Sequence, residues 1–583
     1  MFKLLRSLGR REWGLVGLSV GFIVLQVWLE LTMPDYMSEI TVLIKTPGTQ
    51  MSQILSQGGM MLLCALGSLL ASIAVSVIVA GVATTFGSRL RGRLFARVQE
   101  FSLGEMGRFS TPSLITRSTN DIMQVQILIV MGLQVMVKAP ITAAWAIGKI
   151  SAKNWQWTLS TGVAVGLLLL LIAIAMVIVM PRFKRMQQLT DDLNRVTREN
   201  LNGIRVVRAY NAEDYQEKKF SQANNNLTEN MLYTQKVMAT MMPNIQFIMS
   251  GLSLSIYWIG AYLIHRAGLM ERVELFANMV TYLSYAMQVV MSFMMLVIIF
   301  IMVPRASVSA KRINEVLDTQ PEIRDGSETQ GLSEGQVEFR NVSFSYGDGE
   351  EPAIRNISFK VEKGQTLALI GATGSGKSTV INLIPRFYDA TEGEVLVDGR
   401  NVWDYQLEAL RNKIGYVSQK AVLFSGSVAS NVAYGSNGQA APTQEDIIQA
   451  VTVAQGADFV EEKPQAYESH VAQGGTNFSG GQKQRLSIAR AIARKPEIFI
   501  FDDSFSALDY RTDRILRKAL KTHCADATKI IVAQRIGTIR DADRILVLDE
   551  GELVGSGTHK ELMSSCEVYR QIAYSQLSKE ELE

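Results

Sequence analysis

The sequence predicts a multi-domain membrane protein, a six-helix α-helical transmembrane domain followed by an α/β domain of the P-loop kind. Three observations predict it. Residues up to about 303 are dominated by Leu, Val, Ile, Met and Ala, whereas the composition after about 305 is that of a soluble protein. The first half contains six apolar stretches long enough to cross a bilayer. In the second half the apolar run TLALI leads directly into Gly371-Ala372-Thr373-Gly374-Ser375-Gly376-Lys377-Ser378-Thr379 and then a helical pattern.

The chain has 583 residues, of which 48% are apolar and only 19% charged, so the average hides this split. Its length asks for at least two domains. A net charge of +3 is too small to imply a nucleic-acid partner. Cys64, Cys524 and Cys566 have no ligand spacing and read as unpaired thiols, with no metal site. Lys3, Arg6, Arg10 and Arg11 precede an apolar run that is too long for a signal peptide and has no small-residue cleavage site, so it reads as an uncleaved first span.

The spans lie near 14–33, 59–82, 125–148, 157–180, 241–264 and 277–303. The fifth carries Pro243 and Asn244, and the sixth Tyr282, Tyr285 and Gln288, as expected for helices that face one another or a cavity. Arg89, Arg91, Arg93, Arg97, Arg108 and Arg117 follow the second span; Arg182, Lys184, Arg185, Arg195, Arg198, Arg205 and Arg208 follow the fourth. Positive loops stay inside, which places both long loops and both chain ends in the cytoplasm. These loops read as helical continuations of the spans. The domains are therefore a transmembrane domain over 1–303, a polar, turn-rich linker over 304–335 with Gly326, Ser327, Gly331 and Gly335, and a nucleotide-binding domain over 336–583 with alternating strands and helices from Val337.

The glycines of the 371–379 loop let backbone N–H groups cradle phosphates at a helix N-terminus, with Lys377 reaching the terminal phosphates and the Ser378 hydroxyl a magnesium ligand. The strand IFIF ends at Asp502, which suits a second magnesium ligand. Between them lies Asn477-Phe478-Ser479-Gly480-Gly481-Gln482 followed by KQRLSIARAIARKPE.

Here the chain resembles the ATP-binding cassette (ABC) transporter family, and six spans before one cassette resemble a type IV exporter half. The resemblance implies ATP and Mg²⁺ as cofactors, and a multi-pass protein of a bacterial cytoplasmic membrane. It implies that Tyr346 stacks on adenine, and that Gln419 senses magnesium and the γ-phosphate. Ser479, Gly480, Gly481 and Gln482 would serve ATP held by the other cassette, through helix-terminal N–H donation. Phe478 stands where Leu is usual. Ser506-Ala507-Leu508-Asp509 would be the loop across the dimer interface, and Gly104–Ser113 and Ala209–Tyr215 the two coupling helices.

Two residues depart from the family pattern. Asp503 stands where a hydrolysing cassette has the Glu that polarises water, and is shorter by roughly 1.5 Å. Gln534 stands where such a cassette has a His, and cannot share a proton. Both lie beside intact binding parts, which implies a site that holds ATP and hydrolyses it slowly. The expected partner is a second, non-identical half-transporter with intact Glu and His, as in the bacterial multidrug exporters LmrCD, EfrCD and BmrCD.

The expected cargo is a hydrophobic or amphipathic drug-like compound, taken from a lipid bilayer. Met238, Met241, Met242, Met249, Met279, Met287, Met291, Met294 and Met295 fit an adaptable pocket or ordinary packing equally well. Lys138, beside Pro140 in the third span, is a substrate contact or a packed lysine. Glu30 and Asp35 read as residues of a wet interface. The alternative cargo is a lipid, a lipid-like compound or a peptide; lipid flippases of this family are usually homodimers with two sound sites, which the pair Asp503 and Gln534 disfavours. A soluble ABC ATPase is excluded by the six spans, and a non-transporting regulator or ATP-gated channel stands as a third class.

Overall fold

The computed structural model describes residues 2–46, 48–151, 154–332, 334–347 and 351–577. It divides into two compact units, Met1–Gln99 with Thr111–Thr319, and Glu100–Ser110 with Gln320–Glu583.

Among the described residues, the first unit contains six helices long and apolar enough to cross a membrane: Arg10–Lys45, Met51–Gln99, Thr111–Ser151, Trp155–Asn202, Glu213–Arg266 and Leu269–Asp318. At 1.5 Å per residue, a helix of 48 residues measures about 72 Å, more than twice a hydrocarbon core. Arg89, Arg91, Arg93 and Arg97 therefore lie on a continuation of the second span, and Arg182, Lys184, Arg185, Arg195 and Arg198 on one of the fourth, while Arg108, Arg205 and Arg208 lie on short separate helices. Their shared core gathers Ile23, Val27 and Leu31 with Val75, Trp157, Ile256, Tyr282 and Tyr285. Its aromatic polar tips are satisfied, since Trp157 Nε1 donates to the Ile256 carbonyl at 3.3 Å and the Tyr282 hydroxyl lies 3.2 Å from Thr161 Oγ1.

Irregular turns in these helices have local causes. Pro34 interrupts the ladder of the first helix, and sixth-helix hydroxyls bond carbonyls nearby: Tyr285 to Leu31 at 2.9 Å and Thr281 to Pro34 at 3.3 Å. The third helix has π-helical turns at Arg117–Asp121 and Gly132–Met136, the second just ahead of Pro140.

The stretch 304–318, read as linker, is the end of the sixth helix. Ala306, Ala310, Ile313 and Val316 recur at helical spacing and are buried, so their packing overrides the polar composition between them. The segment 209–215 is not one helix: Ala209 ends the short helix Ile204–Ala209, residues 210–212 form a turn with Asn211 at φ +50°, and Glu213 opens Glu213–Arg266. In the other loop, Leu103–Phe109 is a helix of the second unit, capped by Ser102 and by Glu105, which also accepts from the Glu322 amide at 3.0 Å.

In the second unit β1 (Val337–Phe344), β2 (Ile354–Val361), β4 (Glu392–Val397) and β5 (Arg400–Asn401) form an antiparallel sheet in the order β2-β1-β4-β5. A six-stranded sheet joins β3 (Thr366–Gly371), β6 (Ile414–Val417), β9 (Ile498–Asp502), β10 (Thr528–Val532), β11 (Arg544–Asp549) and β12 (Glu552–Gly557) in the order β12-β11-β3-β10-β9-β6. Gly426–Ser427 (β7) and His470–Val471 (β8) pair as a short ribbon. Strands β3, β9 and β10 are parallel and nearly all apolar and buried, as a sheet covered on both faces requires. Their carboxyl ends come together and carry the site.

Candidate functional site

The loop after β3 folds tightly because two of its glycines sit where a side chain cannot. A Cβ on Gly371 would lie 2.0 Å from the Leu548 carbonyl oxygen on the neighbouring strand. Gly376, at φ +91°, would place one 2.5 Å from Ile354 Cγ2 and 2.8 Å from the Ala353 oxygen. Gly376→Ala is therefore expected to weaken ATP retention roughly tenfold or more in a labelled-ATP binding assay, from left-handed strain plus the clash. Unchanged retention would show that the loop opens to absorb the methyl.

Beyond Gly376 the helix Lys377–Leu383 begins. Lys377 is buried, and its ammonium donates to loop acceptors: the Ala372 carbonyl at 2.6 Å, the Gly371 carbonyl at 3.0 Å and Ser375 Oγ at 3.2 Å. Burial pushes its pKa below the ordinary lysine range, opposed by the charges of Asp503 and Asp502. Thr373, Gly374 and Ser378 face solvent. Thr379 Oγ1 lies 2.8 Å from the hydroxyl of Tyr346, whose ring meets Tyr388 edge-on and is half exposed. An exposed ring beside the phosphate loop offers a face for stacking.

Ser378 Oγ donates to Asp502 Oδ1 at 3.0 Å, so the hydroxyl and carboxylate of a magnesium pair already touch. Burial raises the Asp502 pKa above the usual aspartate range, and the Asp503 charge adds to this. A hydroxyl beside a buried carboxylate and a phosphate loop is a donor set that fits a hard divalent cation.

Asp503 follows at the end of β9 with φ +46°, a left-handed conformation that Asp tolerates better than most residues. Its amide donates to the Val532 carbonyl at 3.0 Å, and its side chain is buried. One carboxylate oxygen, Oδ2, accepts from two amides: Gln534 Nε2 at 2.9 Å and Gln419 Nε2 at 3.3 Å. Burial raises this pKa too, while the Gln419 donor lowers it. The two departures from the family pattern are thus direct partners, joined with Gln419 on one oxygen.

The signature segment forms the N-terminus of the helix Gly480–Ala493. Ser479 Oγ accepts from the Gln482 amide at 3.3 Å, and Gln482 Oε1 accepts from the Ser479 amide at 3.0 Å, a reciprocal cap that leaves Gly480 exposed and Gly481 half-buried at the helix start. Phe478 is buried against Phe459 with the Lys463 ammonium 4.4 Å from its ring, so its larger volume sits in the core. Asp509 caps the helix Tyr510–His523 through the Thr512 amide at 2.9 Å, and the Thr512 side chain together with this amide holds its carboxyl below the usual range.

Two residues outside the motif reading support the site. Gln484, buried in the signature helix, donates to the Ser418 carbonyl beside Gln419 at 3.2 Å. Arg535 donates to the Ser506 carbonyl at 3.3 Å, tying the segment after Gln534 to the 506–509 loop. The helical phase of Gln484 on an amphipathic helix was the available signal for its burial.

In the membrane unit Lys138 is ion-paired with Glu30 at 2.9 Å, and Glu30 also accepts from Gln26 at 2.8 Å and Ser68 at 3.3 Å. Lys149 pairs with Asp35 at 2.6 Å, and Asp35 accepts from Tyr285 at 2.7 Å. Glu30 and Asp35 are therefore not simply wet interface residues; each is a partner for a lysine on the third span. The methionines divide: Met242 is largely exposed on its helix, Met238, Met291 and Met295 partly so, and Met279 is buried.

Comparison with known proteins matches this arrangement. The "ABC transporter" family profile covers residues 354–506, and that of the "ABC transporter transmembrane region" residues 16–293. An uncharacterized ABC transporter ATP-binding protein of Mycobacterium bovis is 39% identical over 524 residues, 89% of this chain and 87% of the relative. The chain belongs to the ABC transporter family. An ATP-dependent lipid A-core flippase of Idiomarina loihiensis is 34% identical over 500 residues, 84% of this chain and 83% of the relative. A solved bacterial Atm1-family ABC exporter with ATP bound has the same fold, with a TM-score of 0.79 at 23% identity, over 97% of this chain and all of that one. This ABC protein is thus a six-span exporter half of the type IV fold with a cytoplasmic P-loop domain, a multi-pass membrane protein that carries an ATPase module.

Proposed function

We propose that this ABC chain is one half of an asymmetric exporter whose own site binds Mg²⁺ and ATP and turns it over slowly, while its signature segment serves a hydrolysing site on a second, non-identical half. The shared oxygen of Asp503 supports this reading. A carboxylate one methylene short, with two amide donors on one oxygen, is poorly placed to take a proton from water. Ser378 and Asp502 would hold the metal, which would neutralise phosphate charge. Lys377 would exchange its loop carbonyls for phosphate oxygens, Tyr346 would stack on the base, and Gln419 would report the state of the phosphates. Ser479, Gly480 and Gly481 would present helix-terminal N–H groups to the partner's nucleotide, with Gln482 closing the cap and Asp509 ordering the adjoining loop.

Ser479→Arg in this chain is expected to abolish ATP hydrolysis by the assembled pair while this chain still retains ATP. Undiminished hydrolysis would show that the signature segment serves no active site.

For the cargo, the names of the lipid A-core flippase relatives support a lipid or lipid-like amphipath. ATP-dependent movement of a fluorescent lipid analogue between leaflets of proteoliposomes is the expected result. Dye efflux without lipid movement would return the reading to drug-like compounds, toward which the exposed methionines of the last two spans point.

A further inference from the structure

A cleft of about 290 Å³ opens in the membrane unit, lined by Leu8, Trp13 and Val16 of the N-terminal segment and first span, Val82 of the second, and Leu128, Ile129, Gly132, Leu133, Met136 and Val137 of the third. Every residue that lines it is apolar. The π-helical turn Gly132–Met136 shapes one wall: Gly132 contributes no side chain there, while Leu133 and Met136 do. A Cβ on Gly132 would meet only Met136 Sδ, at 3.6 Å.

Three arginines flank the lining residues Leu8 and Trp13 along the chain. Val16 lies about 9 Å along the helix from Arg10, so the cleft begins within two turns of the cytoplasmic end of the first span. Arg6, Arg10 and Arg11 are exposed there, and among the described residues none of them forms an ion pair. Arg10 lies one turn below Trp13 on the same side of the helix. Glu12, the one carboxylate of that first turn, is already neutralised by Arg89 through contacts of 2.6 and 3.1 Å, and accepts from the Gly9 amide. Trp13 is half exposed beside them, and an indole is a side chain enriched at the water–hydrocarbon boundary.

The geometry points to a binding site for an anionic phospholipid of the cytoplasmic leaflet, with an acyl chain in the cleft and its phosphate on Arg6 and Arg10. Hydrocarbon is the ligand that a wholly apolar cleft takes within a bilayer, and unpaired arginines beside a neutralised acid select a negative headgroup. The site is independent of the cargo reading, since it uses no residue of that argument.

The test is native mass spectrometry of the intact protein with added dioleoyl phosphatidylglycerol or dioleoyl phosphatidylcholine. The protein is expected to retain phosphatidylglycerol preferentially, and Arg6→Gln with Arg10→Gln to weaken that retention roughly tenfold without altering ATP binding. Gly132→Leu, which fills the cleft, is expected to remove the retained lipid while the arginines remain; should this variant fail to fold, the exposed arginine pair still decides. Equal retention of the two lipids, or undiminished phosphatidylglycerol retention in the arginine variant, would overturn the inference and leave an annular lipid surface.

Discussion

Replacing Asp503 by Glu together with Gln534 by His is expected to raise turnover at this chain's own site by about 100-fold, read in the assembled pair with the other site silenced. The added methylene moves the carboxylate toward the water that must be polarised. The imidazole removes one amide from the crowded oxygen and supplies a group able to share a proton. Glu at φ +46° costs on the order of 1 kcal/mol of backbone strain, against roughly 2.7 kcal/mol for a 100-fold change in barrier. Either single change is expected to fall well short, because the amide and the carboxylate act on the same oxygen. No change in the double variant would show that another step limits the site.

The second large effect concerns the membrane ion pair. Glu30→Gln leaves Lys138 as an unpaired cation among the spans, at a cost of about 2–3 kcal/mol. The expected result is a clear fall in apparent melting temperature of the full-length protein. Glu30→Leu with Lys138→Met removes both charges and is expected to recover most of it. Transport separates the two roles open to Lys138. If the pair only joins two spans, the doubly apolar variant transports normally; if Lys138 meets cargo, that variant is stable and inactive.

The ATP site was legible because it is built from contiguous residues. A phosphate loop uses backbone groups of one turn, and its pattern survives in one stretch of sequence, from Gly371 to Thr379. Asp503 and Gln534 were each legible as departures, but their contact was not. It depends on β9 and β10 lying parallel with Asp502 opposite Val532, a register that brings together residues 31 apart. The same limit hid the partner of Lys138. Glu30 is 108 residues away, and apolar periodicity does not say which spans pack together or at what height. The continuation of the sixth helix past 303 is hidden because composition turns polar at 304, while Ala306 to Val316 continue one buried stripe. The cargo was least legible, since adaptable methionines serve packing and binding alike.

The central claim, that this site holds ATP and splits it slowly, is tested most directly by purifying this chain alone and measuring ATP retained and ATP hydrolysed in one sample with magnesium. Retention of labelled ATP with hydrolysis near background, rising when a second half-transporter is added, is the predicted result. Brisk hydrolysis and cargo transport by this chain with no second polypeptide present would contradict it.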